Sequence, residues 1–385
     1  MVIAIATGLY SVAPSVAYPA IVLACGLLFA DRRFARSPLK FIEARKFLGF
    51  AMFNVFFWAR SLFSSLEPRT YFLTLVSLGI FLLVYGYSRL TLLDRVSSQA
   101  DHSDAPFELI SIGALATLLL GQVAEILGYI DRRDLGLEPD VIVLDRRPGG
   151  FLNPNMTAAI SLVLLFVMDR CSRTRWRPHL ILGLVLTVSI VLLSQSRMGI
   201  LVLSALSFVL IARRGLVSLA LSSVLLILLA FFIASAQDEV IRRLIDATVS
   251  RFGEDGSSEE RAYVMTYGLS AFADAPLLGN GYRFLVSVLG YSAHNEVVEN
   301  LVNFGLLGTL IVLAAAYQLY MPASPTFLLV CALPTFAFTH NFFETTAFQA
   351  SLGFALAIDT LRSPATAPRG GAEFRGLNCN MKEQP

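Results

Sequence analysis

Long apolar runs separated by short charged loops set the pattern of this chain. They occupy Ala4–Ala30, Phe47–Leu66, Tyr71–Leu90, Phe107–Ile130, Phe151–Met168 and Leu180–Gln195. Further runs follow at Met198–Ala212, Leu216–Ala236, Val297–Tyr320, Thr326–Thr339 and Phe342–Leu361. With about 20 residues needed per bilayer crossing, they predict about 11 (10–12) transmembrane helices. Lipid offers backbone groups no partners, so such runs must be helices or a closed barrel, and the period-2 alternation of barrel strands is absent. The expected fold is an all-α polytopic membrane protein.

Basic residues between the runs give a direction. Arg32, Arg33, Arg36, Lys40, Arg45 and Lys46 fill the first loop; Arg170, Arg173, Arg175 and Arg177 fill another; Arg213 and Arg214 end a span. With eleven helices these clusters fall on one side, which the positive-inside rule makes cytoplasmic. The predicted organisation is eight transmembrane helices over 1–236 and a periplasmic loop subdomain with amphipathic helices over 237–295. Three more helices follow over 296–361, and 362–385 forms a disordered cytoplasmic tail.

Composition agrees. Charged residues are 15% and hydrophobic residues 56% of the 385, with a mean hydropathy of +0.67, against roughly 25% charged in a soluble protein. A soluble enzyme and a nucleic-acid-binding domain are excluded. The four cysteines, Cys25, Cys171, Cys331 and Cys379, share no ligand-like spacing, so neither a disulfide framework nor a metal site is expected. The N-terminus lacks a basic n-region and a small-residue cleavage site and is read as the first span. No nucleotide-binding motif is present, and no cofactor is expected.

The chemistry-bearing residues gather on the other side of the membrane. In the long loop, Ile241, Leu244, Ile245, Val249 and Phe252 recur at helical spacing, as in a surface-lying amphipathic helix. Ser257 and Glu260 then make a capping box for a second helix reaching about Ala273. Arg261 opens that helix and shares a stripe with Met265, Gly268, Leu269 and Phe272, which aims it at the bundle; a snorkelling surface arginine is the alternative. Pro276, Gly279 and Gly281 mark a tight passage that also carries Arg283. His294-Asn295 opens the next span, with Asn295 a natural N-cap and Glu299 and Asn303 extending a polar stripe. Arg197 lies between two short spans and Arg60 in the far half of another, both against the positive-inside bias. Asn153 and Asn155 flank a helix-starting proline. Weaker signals are Gln122 with Glu125, and His340, Asn341 and Glu344; any of these polar groups can simply satisfy backbone at helix ends. Guanidinium groups bind phosphate oxygens bidentately, so several arginines on one face predict a phosphate or diphosphate ligand there.

The stretch His294-Asn295, nine residues, then Gly305-Leu306-Leu307-Gly308-Thr309 resembles the signature of the O-antigen ligase and polymerase superfamily. Ser196-Arg197, Arg261 at a loop-helix start, Pro276-Leu277-Leu278-Gly279-Asn280-Gly281 and Asn153-Pro154-Asn155 match in order. The resemblance implies a GT-C-like bundle in the bacterial inner membrane. Its members move a glycan from an undecaprenyl-diphosphate carrier to an acceptor hydroxyl, of lipid A–core or of another glycan, at the periplasmic face. It implies Arg197 and Arg261 on the diphosphate and His294 as general base, with Arg60, Asn153, Asn155, Arg283, Asn295 and Glu299 as further substrate contacts. The partners are then the lipid-linked donor, the acceptor and membrane lipids. Ligases, repeat-unit polymerases and protein O-oligosaccharyltransferases share these features; the compact length and simple outer loop speak against the last, and the His-Asn element with Gly305, Gly308 and Thr309 leans toward ligase. A transporter or flippase is the competing class, but it favours ionisable residues at mid-depth in repeated halves, whereas here they cluster toward one face. A scaffold without chemistry explains neither the arginines nor the His294 stripe.

Overall fold

The computed structural model describes residues 28–29, 31–36, 42–61, 68–97, 105–129, 149, 152, 154–172, 176–194, 196–215, 256–281, 284–290, 295–321, 324–330 and 346–362. Every regular element among them is an α-helix. They are α1 (Arg32–Arg36), α2 (Ala44–Ser61), α3 (Pro68–Ser97), α4 (Ala105–Ile126), α5 (Pro154–Ser172), α6 (Pro178–Ser194), α7 (Arg197–Ala212), α8 (Gly256–Asp274), α9 (Phe284–Leu289), α10 (Glu296–Tyr320) and α11 (Thr346–Arg362); residues 325–330 are also helical. Four of the helices contain stretches long and apolar enough to cross a membrane: Thr74–Leu93, Pro106–Ile126, Pro154–Ser172 and Val297–Tyr320. Helices α6 and α7 are apolar but shorter. The span expected over Leu216–Ala236, most of those over Ala4–Ala30 and Thr326–Thr339, the amphipathic helix at Ile241–Phe252, His340, Asn341 and Glu344, and the tail after Arg362 lie outside the described residues.

The bundle is built around α5 and α11. Every residue of α5 from Met156 to Asp169 is buried, which explains a sequence apolar on all faces. It packs against α4, α6, α7 and α11, while α11 is sandwiched between α5 and α3. Small residues allow the close approaches. A side chain on Gly353 of α11 would strike the Phe81 carbonyl of α3 at 2.5 Å, and one on Gly49 of α2 would strike the Ala315 carbonyl of α10 at 2.7 Å. A second, smaller cluster joins α8, α9 and the first part of α10 through Val264, Ala271, Leu285, Val298 and Val302.

One end of the bundle is held by ion pairs, and these bring the basic clusters together. Asp169 at the end of α5 takes Arg213 at 3.1 Å and Arg214 at 2.9 Å, both just past α7. Arg170 pairs with Asp359 of α11 at 2.6 Å, and the backbone N–H of Ser324, beyond α10, donates to the same carboxylate at 2.6 Å. Arg362 donates to the Arg170 carbonyl at 2.6 Å. Glu108, at the start of α4, receives Ser172 of α5 and contacts His179 and Arg177 at the start of α6. A buried charge is tolerated only with such partners. The starts of α2, α4 and α6 and the ends of α5, α7, α10 and α11 therefore share this basic end, so the basic residues described there lie together at one end of the bundle.

Lys46 completes that end. It stands one residue before the apolar run of α2 and is fully buried; its Nζ donates to the Met321 carbonyl at the end of α10 at 2.6 Å and lies 5.6 Å from the Tyr85 ring centroid. Burial pulls its pKa down from 10.5 to about 7, with Arg45 and Arg89 acting in the same direction and Glu43 opposing. The unfolded chain thus binds this proton more readily than the folded one, so stability rises with pH between about 7 and 10.5. The thermal midpoint in detergent is expected to climb across the lower part of that window, and Lys46→Met to flatten the climb. An equal slope in the variant would show that the proton resides elsewhere.

Candidate functional site

The opposite end carries the starts of α5, α7, α10 and α11 and the ends of α2, α4 and α6. At α7, Ser196 is the N-cap, with φ −77° and ψ 109°, and its hydroxyl accepts from the Gly199 N–H at 3.1 Å. A serine at this place satisfies one of the unpaired amides of a helix start. Arg197 is therefore the first helical residue of α7. Amides and dipole make this terminus positive. Gly199 lets α7 close on α5: a side chain there would meet the Ala158 Cβ at 3.0 Å.

The turn before α5 is tied from both sides. Glu125 of α4 accepts from the Gly149 N–H at 2.5 Å, and Thr157 of α5 donates to the Gly149 carbonyl at 3.0 Å. Gln122 donates to the Ile190 carbonyl of α6 at 3.1 Å. Glu125 and Gln122 thus satisfy backbone, as their bland reading expected. Asn155 is the second residue of α5, while Asn153 lies outside the described residues.

The most distinctive construction joins the glycine-rich passage to α10. Helix α10 is interrupted at Gly305, whose φ of 66° and ψ of −171° are non-helical. In an unbroken helix the N–H groups of Leu306 and Leu307 would reach the carbonyls of Val302 and Asn303. Here they donate instead to Pro276 at 2.8 Å and Leu277 at 3.2 Å, and the released carbonyls accept from Asn280 N at 2.8 Å and Gly281 N at 3.1 Å. Two segments thus exchange backbone hydrogen bonds and leave none of these groups unpaired, a requirement wherever water is scarce. Contact this close needs glycine on both sides. A Cβ on Gly279, itself at φ 72°, would lie 2.4 Å from Gly305 N; one on Gly305 would lie 2.4 Å from the Leu277 carbonyl. Thr309 donates to the Gly305 carbonyl at 2.7 Å, and a side chain on Gly308 would collide with Phe304 and Phe56. The Gly-Leu-Leu-Gly-Thr signature is therefore a break-and-repair device.

Above the break, Asn295 caps α10, its Oδ1 accepting from Val297 N at 3.0 Å and Val298 N at 3.2 Å. Asn303 accepts from Phe284 N at the start of α9 at 3.1 Å and donates to the buried Glu299 at 3.4 Å. The polar stripe Asn295, Glu299, Asn303 thus holds helix starts in place. The span over Val297–Tyr320, expected as one helix, is two half-helices.

Helix α8 begins and ends where expected, but its buried face differs. Val264, Gly268 and Ala271 are buried, while Met265 and Leu269 are 42% and 45% exposed. Gly268 sits against Val298, Leu285 and Val302, so the small residue decides which face meets α10. By register, position 261 lies one turn before Val264 on the flank of this face. Position 60 lies in the last turn of α2. The structure thus brings α8 and the first half of α10 together, and separately packs α7 on α5 and α6. His294 and Arg283 lie outside the described residues.

An all-helical bundle with apolar spans, charged locks at one end and a broken helix near the other defines a multi-pass membrane protein. Residues 182–313 match the family model of the O-antigen ligases. The match covers about a third of the chain, from α6 past the break in α10, and includes Arg197, Arg261, Arg283, His294, Asn295 and Glu299; Arg60, Asn153 and Asn155 precede it. It supports the O-antigen ligase and polymerase superfamily, whose members process glycans at membranes. Comparison with curated proteins finds no match.

Proposed function

We propose that the protein is a glycosyltransferase of the O-antigen ligase type, working at the periplasmic face of a bacterial inner membrane. It moves a glycan from an undecaprenyl-diphosphate carrier to a hydroxyl of lipid A–core. Arg197 and Arg261 bind the diphosphate, with Arg60 and Arg283 nearby, and Asn153, Asn155, Asn295 and Glu299 border the acceptor and sugar. His294 takes the acceptor proton as its oxygen attacks the anomeric carbon. Direct displacement inverts that carbon, and the departing diphosphate accumulates negative charge that the guanidiniums stabilise. The carrier already supplies a good leaving group, so neither nucleotide nor metal enters the scheme.

One observation carries this reading: the O-antigen ligase match contains the three residues assigned to the chemistry. The positive-inside rule adds direction, since the charged locks mark the cytoplasmic end and leave the starts of α7 and α10 facing outward. The test is the surface glycan profile of a strain lacking the protein. Lipid-linked polymer left unattached is the expected result. Accumulation of single repeat units would make the protein a repeat-unit polymerase instead, and an unchanged profile would reject both.

A further inference from the structure

The hydrogen-bond exchange at Gly305 has a mechanical meaning. Below the break, α10 is fixed to α2: Gly49 lies against Ala315 and Leu319, Gly308 against Phe56, and Lys46 grips the Met321 carbonyl. Above it, residues 295–304 carry the Asn295 cap, Glu299 and Asn303. The two helical bonds that would run from 306 and 307 back to 302 and 303 are missing, so the helix itself does not set the angle between its halves. The 276–281 passage does, because it bonds to both: Pro276 and Leu277 accept from the lower half, and Asn280 and Gly281 donate to the upper. Asn280 adds a third element. Its Nδ2 donates to the Ala271 carbonyl near the end of α8 at 2.8 Å and to the Val302 carbonyl at 3.3 Å. One amide thus ties α8, the passage and the upper half of α10.

We infer that residues 276–281 are a splint that sets the upper half of α10 against the bundle, and that Asn280 is the positioning residue that locks it. The positioning role rests on the glycosyl-transfer reading, because the upper half begins immediately after His294. The splint itself does not depend on that reading. Asn280 touches neither donor nor acceptor in this scheme; it acts by holding the helix start on which the base is carried.

The experiment uses the full chain in lipid nanodiscs, as wild type, Asn280→Asp, Asn280→Ala and a control, Ser287→Ala on the exposed side of α9. Asn280→Asp keeps the shape but removes both N–H donors and turns an oxygen toward two carbonyls. Hydrogen exchange of the Leu306 and Leu307 amides is expected to accelerate about tenfold or more in both Asn280 variants, with α5 unchanged, because opening is local. With a lipid-linked glycan donor, kcat is expected to fall about a hundredfold, the scale of an ångström-sized misplacement, while KM for the donor stays within about twofold. Ser287→Ala should change neither. Unaltered exchange at 306 and 307 would overturn the splint. Faster exchange with wild-type kcat would overturn the positioning role, as would loss of protection throughout α5, which marks general unfolding. A wild-type protein that transfers no glycan would also overturn the positioning role, and the exchange result would then decide the splint alone.

Discussion

Replacing His294 with alanine is expected to abolish measurable glycan transfer while the protein stays inserted and folded. A positioned general base contributes a factor of about 10²–10⁴ to a rate, and the acceptor alcohol loses its proton only as it attacks. The measurement is transfer of a lipid-linked glycan by protein in nanodiscs, with intact thermal unfolding as the check on folding. A variant retaining more than about a tenth of wild-type kcat would remove His294 from the base role. Arg197→Ala serves as a companion, since loss of a diphosphate contact should weaken donor binding as well as turnover.

The second large effect concerns stability. Gly305→Val is expected to destabilise the protein by about 2 to 4 kcal/mol and to release the 276–281 passage from α10. Position 305 holds a positive φ that a branched side chain resists, and the new Cβ would lie 2.4 Å from both carbon and oxygen of the Leu277 carbonyl. Neither atom can yield, because both belong to backbone already committed to the exchange. Gly113→Ala is the counterpart on α4. A Cβ there meets nothing within 4 Å, and alanine in a helix interior gains up to about 1 kcal/mol over glycine. Thermal unfolding of the two variants beside wild type decides the matter; a Gly305→Val protein as stable as wild type would mean that the break is not what holds the passage.

Much of the architecture was legible because membrane helices write themselves in long apolar runs. The runs at Phe47, Tyr71, Phe107, Phe151, Leu180, Met198 and Phe342 each became one helix, although α3 continues past the expected Leu90 to Ser97, and the run at Val297 became a helix broken at Gly305. The Asn295 cap and the stop at Asp274-Ala275-Pro276 were equally local signals. What escaped was nonlocal. The stretch Phe304-Gly305-Leu306-Leu307-Gly308 reads as apolar helix with two glycines, and nothing within it announces that its hydrogen-bond partners lie at 276–281. The stripe drawn through Arg261 took Met265 and Leu269 inward, whereas Gly268, by admitting Val298 and Val302, turned the helix toward Val264 and Ala271. At the basic end, charge count gave the side but not the pairing. Asp169 and Asp359 sit near the ends of apolar runs, and they collect the arginines that end two helices, α5 and α7.

The exchange of hydrogen bonds at Gly305 also limits how this protein can be recombined. Neither the 276–281 passage nor the 295–320 segment is a self-contained module, because each supplies the backbone partners that the other lacks. A chimera that imports one without its mate keeps the peptide groups but can lose the glycines at 279 and 305 that let them meet, which leaves amides and carbonyls unmatched. Swaps of acceptor or donor preference between related proteins should therefore cut the chain before Pro276 and after Thr309, carrying both halves of the joint as one cassette.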